Sequence, residues 1–266
     1  RSNYAGIIHR RLRSWGLNTI ANWSDSAVFL MRRTPYTDSV GSHGVKMVEG
    51  SEGYWGKFPD VFDPGFATAM RRAMEGKQKT SANDPWCIGY FSDNEMSWGD
   101  ELSLALGALK SSAGQPAKQE FVTDLKVKYG DISKLNVAWG VTNSSWDELL
   151  ASRVAPDPKT AREDLVTFST KMAETYFRTV RDAIKAVAPN QLYLGCRFAW
   201  VNDLAVRAAD AERFGLRARC RRALDLREAV DARLQRFQRL GELRQAQRHG
   251  APRGDVLVAV DEEAHR

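Results

Sequence analysis

The stretch DPWCIGYFSDNEMSWG, Asp84–Gly99, carries no charge from Pro85 to Ser92 and then presents Asp93, Asn94 and Glu95 in succession. An apolar run of this length, with a proline before it and polar residues after it, predicts a buried strand over Trp86–Ser92. A strand that is apolar on both faces belongs in a parallel sheet covered by helices. Three polar side chains together at the end of such a strand require a chemical reason.

Outward from this strand, helix and strand signals alternate. Upstream, YAGIIHRRLRSWG predicts a helix with Ile7, Leu12 and Trp15 near one face, closed by Gly16, and LNTIANW predicts a short buried strand from Leu17. A weaker strand is expected over Tyr36–Val40, followed by a long glycine-rich loop from Gly41 to Asp60. A helix then starts at Asp63, which has the character of an N-cap, with Pro64 in the first helical position. Downstream, Glu101 to Val187 reads as mostly helical, and QLYLGCRF predicts another strand from Gln191 to Phe198.

With 266 residues, 43% of them hydrophobic, the chain suffices for one large domain or two small ones. No stretch approaches a membrane span, and the first residues, RSNYAGIIHRRLRSWG, show neither an apolar targeting core nor an initiator Met. Cys87, Cys196 and Cys220 lack metal-type spacing, and with four histidines neither a metal nor another cofactor is expected.

The net charge of +6 is less informative than its distribution. Every Trp, Tyr and Lys lies at or before Trp200, whereas the residues beyond Val206 form an Arg, Ala, Leu and Glu background. This composition break divides the chain into an enzyme-like region, 1–205, and a tail, 206–266. From Arg207 onward 14 Arg face 10 acids, too small an excess to call for nucleic acid. Leu226, Val230, Leu234, Phe237 and Leu240 follow helical spacing. The joint disappearance of Lys, Tyr and Trp matches out-of-frame translation of a GC-rich gene, which would have replaced the rest of the domain.

Alternating strands and helices leave a doubly wound sheet and a (β/α)8 barrel open. The barrel is favoured by where the polar residues fall. Strand after strand ends in a polar cluster: Asn22, Trp23 and Asp25; then Asp93, Asn94 and Glu95; then Arg197 and Trp200. Barrel enzymes assemble their sites from such C-terminal strand ends. A nucleotide-binding sheet would carry a glycine fingerprint in a strand-to-helix turn, and this chain has none.

CIGYFSDNEMSWG resembles the fourth-strand motif of retaining glycoside hydrolases of the 4/7 superfamily, in which an Asn-Glu pair ends the strand. FVTDLKVKYGDISKLNVAWGVTNSSWDELL, GLNTIANWSD and LYLGCRFAW are similar to segments of the agarases and β-galactosidases of that superfamily. The resemblance spans roughly residues 5 to 203. It implies a (β/α)8 barrel with strands two to five present, an oligosaccharide or polysaccharide substrate, Glu95 as general acid/base, and Asn94 on the sugar 2-hydroxyl. It also makes export, to the periplasm or beyond, an expectation.

The residues fit this division of labour. A glycosidic oxygen leaves poorly unless protonated, so one carboxyl must stay neutral, and Trp98, Tyr90 and Trp86 lie near enough in sequence to supply apolar surroundings. Trp23 and Trp98 are expected as stacking platforms for sugar rings, with Trp200 a further candidate, while Trp139 and Trp146 belong to packing. Asp25 and Arg197 are candidates for binding substrate, His43 lies on a loop that could border a cleft, and Asp93 is assigned to structure. A retaining mechanism needs a second carboxylate about 5–5.5 Å from the first. The family places it on the seventh strand, and no credible counterpart follows Trp200. The terminal GDVLVAVDEEAHR has the outline of one but no room for an eighth strand.

Overall fold

A computed structural model describes residues 2–200 and 202–213. The elements run α1 (Ser2–Ser14), α2 (Ser26–Phe29), β1 (Tyr36–Val40), α3 (Pro64–Glu75), β2 (Cys87–Asn94), α4 (Ser103–Leu109), α5 (Pro116–Tyr129), α6 (Ile132–Trp139), α7 (Trp146–Ala151), α8 (Arg162–Val187), β3 (Leu192–Arg197) and α9 (Asp203–Arg213). The three strands form one parallel sheet in the order β1-β2-β3. The strand expected from Leu17 reduces to a single parallel bridge between Ile20 and Tyr36. The tail readings beyond residue 213, including the helical spacing through Leu240 and the terminal apolar run, lie outside the described residues. α9 crosses residue 205 without a break.

Local chemistry accounts for the element boundaries. Asp63 caps α3 by accepting from the Gly65 N–H at 2.8 Å, with Pro64 inside the first turn. Gly89 lets β2 and β3 approach, since a Cβ there would sit 2.3 Å from the Leu192 carbonyl oxygen. On α8, Leu165, Phe168, Met172, Tyr176, Val180 and Ile184 recur at three- and four-residue intervals and are all buried. Each such apolar side chain contributes about 1.5–3 kcal/mol on burial. α1 departs from its expected face: Trp15 is exposed, and the buried residues are Ala5 and His9. The His9 ring bridges the Thr34 hydroxyl (2.9 Å) and the Val28 carbonyl (3.0 Å), so a polar side chain anchors the face that an apolar pattern would have given to Trp15.

Asp84, three residues before β2, has a fully buried side chain. It accepts from Arg32 Nε (3.0 Å), the Tyr36 hydroxyl (2.8 Å) and the Trp86 N–H (3.0 Å). Burial works to raise its pKa, but these donors together outweigh it and hold the carboxyl below its ordinary value. The unfolded value is about 3.9, so the stabilisation is fully present above that pH and is lost as pH falls through the lower, folded value. Asp84→Asn is expected to cost about 2 kcal/mol at neutral pH and to flatten the pH dependence of stability in the acid range, as read by denaturant unfolding at stepped pH.

Candidate active site

Parallel strands bring their C-terminal ends to one edge of the sheet, and there the backbone departs from regularity. The β2–β3 register slips between Ser92 and Asn94. Asp93 (φ 44°), Glu95 (φ 51°) and Trp23 (φ 64°) are three of the four non-glycine residues with positive φ among the described residues. Each such conformation costs roughly 1–3 kcal/mol and persists only where its surroundings enforce it. Strict alternation would send Asn94 and Glu95 to opposite faces. The bulge and the left-handed turn remove that constraint at the point where both residues emerge.

Asp93 is what holds the irregular strand end in place. Its Oδ1 accepts from the Ser42 N–H (2.7 Å) and hydroxyl (3.0 Å), and its Oδ2 accepts from the Tyr176 hydroxyl (2.6 Å). Burial, reinforced by the Asp93 charge, pushes the Tyr176 hydroxyl well above its ordinary pKa and the Cys196 thiol up to about 12. Both stay protonated at neutral pH, so the Tyr176 donor is permanent.

In front of this edge lies a cleft of about 400 Å³, within the size range of small-molecule sites, about 300–1,000 Å³. Asn22, Trp23, Asp93 and Asn94 contribute from the strand ends, and His43, Met47, Trp55 and Lys57 from the loop 41–60. That loop is internally ordered: Val48 N–H donates to Phe58 O and Asp60 N–H to Lys46 O, both at 2.8 Å. Its far end is fixed by buried Asp60, which accepts from Gln115 Nε2 (2.5 Å) and Ala117 N–H (3.0 Å).

Glu95 is partly buried beside the cleft: its chain neighbours Asn94 and Met96 and its partner Trp55 line the walls, and Glu95 itself does not. Its N–H donates to Arg197 O (2.8 Å), and its Oε2 accepts from the Trp55 indole N–H (2.8 Å). Arg197 donates through Nη1 to Asn94 Oδ1 (2.7 Å) while its guanidinium lies 4.2 Å over the Trp23 ring. Because Arg offers only donors, the Asn94 atom it meets is the carbonyl oxygen, which leaves the amide N–H groups of Asn94 free to donate. Asn22 Oδ1, also in the cleft wall, is buried without a hydrogen-bond partner among the described residues.

Two expected binding residues are placed otherwise. Trp98 is not a platform. It is fully buried, stacked on Phe177 at 5.3 Å and edge-on to Tyr176 at 5.5 Å, so neither face is open to a ligand. Asp25 lies outside the cleft walls and caps α2, accepting from Ala27 N–H at 2.8 Å. The aromatic side chain bonded to Glu95 is Trp55, in place of the expected Trp98, Tyr90 and Trp86; the Tyr90 hydroxyl donates instead to Ser81 in the core.

The glycoside hydrolase family 42 model, described as beta-galactosidase, matches residues 30–204. The chain belongs to this glycoside hydrolase family. Beta-agarase A and beta-agarase B of Vibrio sp. (strain JT0107) are 34% and 36% identical to it over 211 and 203 residues, which cover 73% and 71% of the chain. The chain spans 21% of the length of either relative. A solved exo-beta-agarase superposes with a TM-score of 0.75 at 32% identity, over 80% of this chain and 30% of that one. A beta-galactosidase from the Antarctic haloarchaeon Halorubrum lacusprofundi, 15% identical with a TM-score of 0.56, shares the fold over 80% of this chain and 37% of its own. These neighbours are TIM-barrel glycoside hydrolases, and the three parallel strands of this glycoside hydrolase chain are a part of that α/β architecture.

Sequence reading missed Trp55 and Tyr54. The only available signal was their position in the glycine-rich loop, where nothing periodic explains two adjacent aromatics. The loop depends on its glycines for close packing: a Cβ on Gly53 would fall 1.7 Å from Ser97 Oγ and 2.8 Å from Gly56 O. Gly53→Ala is therefore expected to displace the turn carrying Trp55 and to cost about 1–3 kcal/mol, measurable by thermal unfolding. Among the described residues no group of three or more His, Cys, Asp or Glu could hold a metal ion, and no helix is long and apolar enough to cross a membrane.

Proposed function

We propose that this chain carries the acid/base half of a retaining glycosidase site for β-galactosidic bonds of the agarose type, with Ile20, β1, β2 and β3 as strands two to five of the barrel. The observation that carries the reading is the pair Asn94 and Glu95, released at the cleft by the bulge and left-handed turn, with Glu95 held by Trp55 and Asn94 by Arg197.

Glu95 protonates the glycosidic oxygen as the bond to the anomeric carbon breaks. A second carboxylate attacks that carbon, and Glu95 then takes a proton from the water that releases the sugar. The Asn94 amide donates to the 2-hydroxyl oxygen, the free face of Trp23 receives the apolar face of the ring, and Asn22 Oδ1 accepts from a ring hydroxyl. A polysaccharide of this kind is met outside the cell, which favours a secreted or periplasmic protein.

A second reading, noncatalytic carbohydrate binding, is favoured by one observation. Among the described residues the carboxylate that lines the cleft is Asp93, and both its oxygens are already engaged, while Glu95 stands beside the cleft. The purified chain is accordingly expected to bind agaro-oligosaccharides, to lose that binding on Trp23→Ala, and to hydrolyse aryl β-galactosides little or not at all. Clear hydrolysis abolished by Glu95→Gln would show the site to be complete. Failure to bind any galactoside would sink the glycosidase reading and the binding reading together.

A further inference from the structure

The stretch from Arg1 to Arg33 holds six Arg, one Asp and no Lys or Glu. That Asp is Asp25, whose carboxylate caps α2, and Arg32 is committed to Asp84. Among the described residues the side chains of Arg10, Arg11, Arg13 and Arg33 have no acid to pair with, whereas Arg153 and Arg162 find Glu49 and Glu101. Arg10 and Arg33 nevertheless converge. They belong to different elements, α1 and the connection from α2 to β1, yet both bring Nη1 to Gly6, 3.8 and 3.9 Å from the position a Cβ would take there. Two exposed guanidinium cations drawn to one point repel each other, and an anion beside them removes that cost.

Gly6 is an independent indication. It lies within α1, where glycine is less favourable than alanine. Its two nearest neighbours are at ordinary van der Waals distance, so crowding does not exclude a side chain. A glycine kept inside a helix without a steric reason leaves bare backbone, and here that backbone is the floor between two cationic walls. Arg13 follows Gly6 by seven residues, so it lies on the same side of α1 and extends the cationic wall.

We infer that Arg10 and Arg33, over the floor left by Gly6, bind a tetrahedral oxyanion, a sulfate or phosphate that is free or carried as an ester. A carboxylate presents two oxygens, which one guanidinium fork satisfies. A sulfate or phosphate monoester presents three free oxygens and can engage both forks at once. None of these three residues lines the cleft, so the site is separate from the one read around Glu95 and does not rest on it.

Titration calorimetry on the full chain at low ionic strength tests this, with inorganic phosphate, inorganic sulfate, methyl phosphate and methyl sulfate as probes and chloride as the control. At least one oxyanion is expected to bind about tenfold or more tightly than chloride, and Arg10→Gln and Arg33→Gln are each expected to weaken that binding about tenfold. Arg11→Gln removes the same charge from a different side of α1 and is expected to change the affinity less than about twofold. Gly6→Ala should weaken binding while leaving the thermal midpoint unchanged or raised, which separates a filled floor from a damaged helix. Tighter binding of the methyl esters assigns the site to a group carried by a larger ligand, and tighter binding of the inorganic ions assigns it to the free anion; both support the proposal. No binding of any oxyanion, equal competition by chloride, or a loss on Arg11→Gln matching those on Arg10→Gln and Arg33→Gln overturns it. Affinity for an oligonucleotide with none for the small anions overturns it as well.

Discussion

Glu95→Gln is expected to lower turnover about 10²–10⁴-fold in any form of this protein that hydrolyses a galactoside, whether alone or joined to further strands. The substitution is nearly isosteric, and the amide oxygen can still accept from Trp55 Nε1, which lies 2.8 Å from the carboxylate. Ligand affinity should therefore change little, and what is removed is the transferable proton. The loss should depend on the leaving group. An aryl galactoside whose phenolate leaves readily needs less protonation in the first step and should lose less than an oligosaccharide does. Equal losses on both substrates, or a loss of affinity matching the loss of rate, would mean that Glu95 positions substrate and does not move a proton.

Trp98→Ala should produce the largest stability change, about 3–5 kcal/mol, seen as a shift of the urea midpoint. The indole is fully buried among Phe58, Tyr176 and Phe177, with centroids 4.8–5.5 Å away, and truncation would open a cavity between α8 and the stretch that follows Glu95. Among the described residues its N–H has no oxygen acceptor and only the weakly accepting Cys196 sulfur nearby. Trp98→Phe should thus be far milder, under about 1.5 kcal/mol, because little hydrogen bonding is lost. An unmoved midpoint with weakened sugar binding would restore Trp98 to the surface role its sequence position suggested.

The contrast between Trp98 and Trp55 separates what the sequence discloses from what it does not. The apolar run before Asn94, the Asp63-Pro64 helix start and the Tyr36–Val40 strand are local signals, written in side-chain type and order, and the structure reproduces them. The direction of a side chain just beyond a strand is not local. Trp98 follows a left-handed residue that turns the chain back into the core, and no composition rule anticipates φ 51° at a glutamate. Trp55 reaches Glu95 across a separation of 40 residues, through a loop shaped by close glycine contacts and two cross-loop backbone bonds. Asp25 stands close to Trp23 in sequence, but a carboxylate placed ahead of a helix finds the free N–H groups of the first turn before it finds a ligand.

The loop between Gly41 and Asp60 is fastened to the body along its length: at its ends through Ser42 on Asp93 and through Asp60 on Gln115 and Ala117, and in its middle through Glu49 on Gln115, Ser112 and Arg153, Gly50 on Ser111, Trp55 on Glu95 and Gly56 on Ser97. An element built this way is a wall of the cleft, carried by the residues behind it and by none of the strands alone. Its sequence can be exchanged for that of a related loop provided that Asp93, Ser97, Ser111, Ser112 and Gln115 find equivalent partners in the new one. Divergence of sugar preference within such a lineage then needs no redesign of the strands, and a chimaera carrying a donor loop between the same anchors should inherit the preference of the donor.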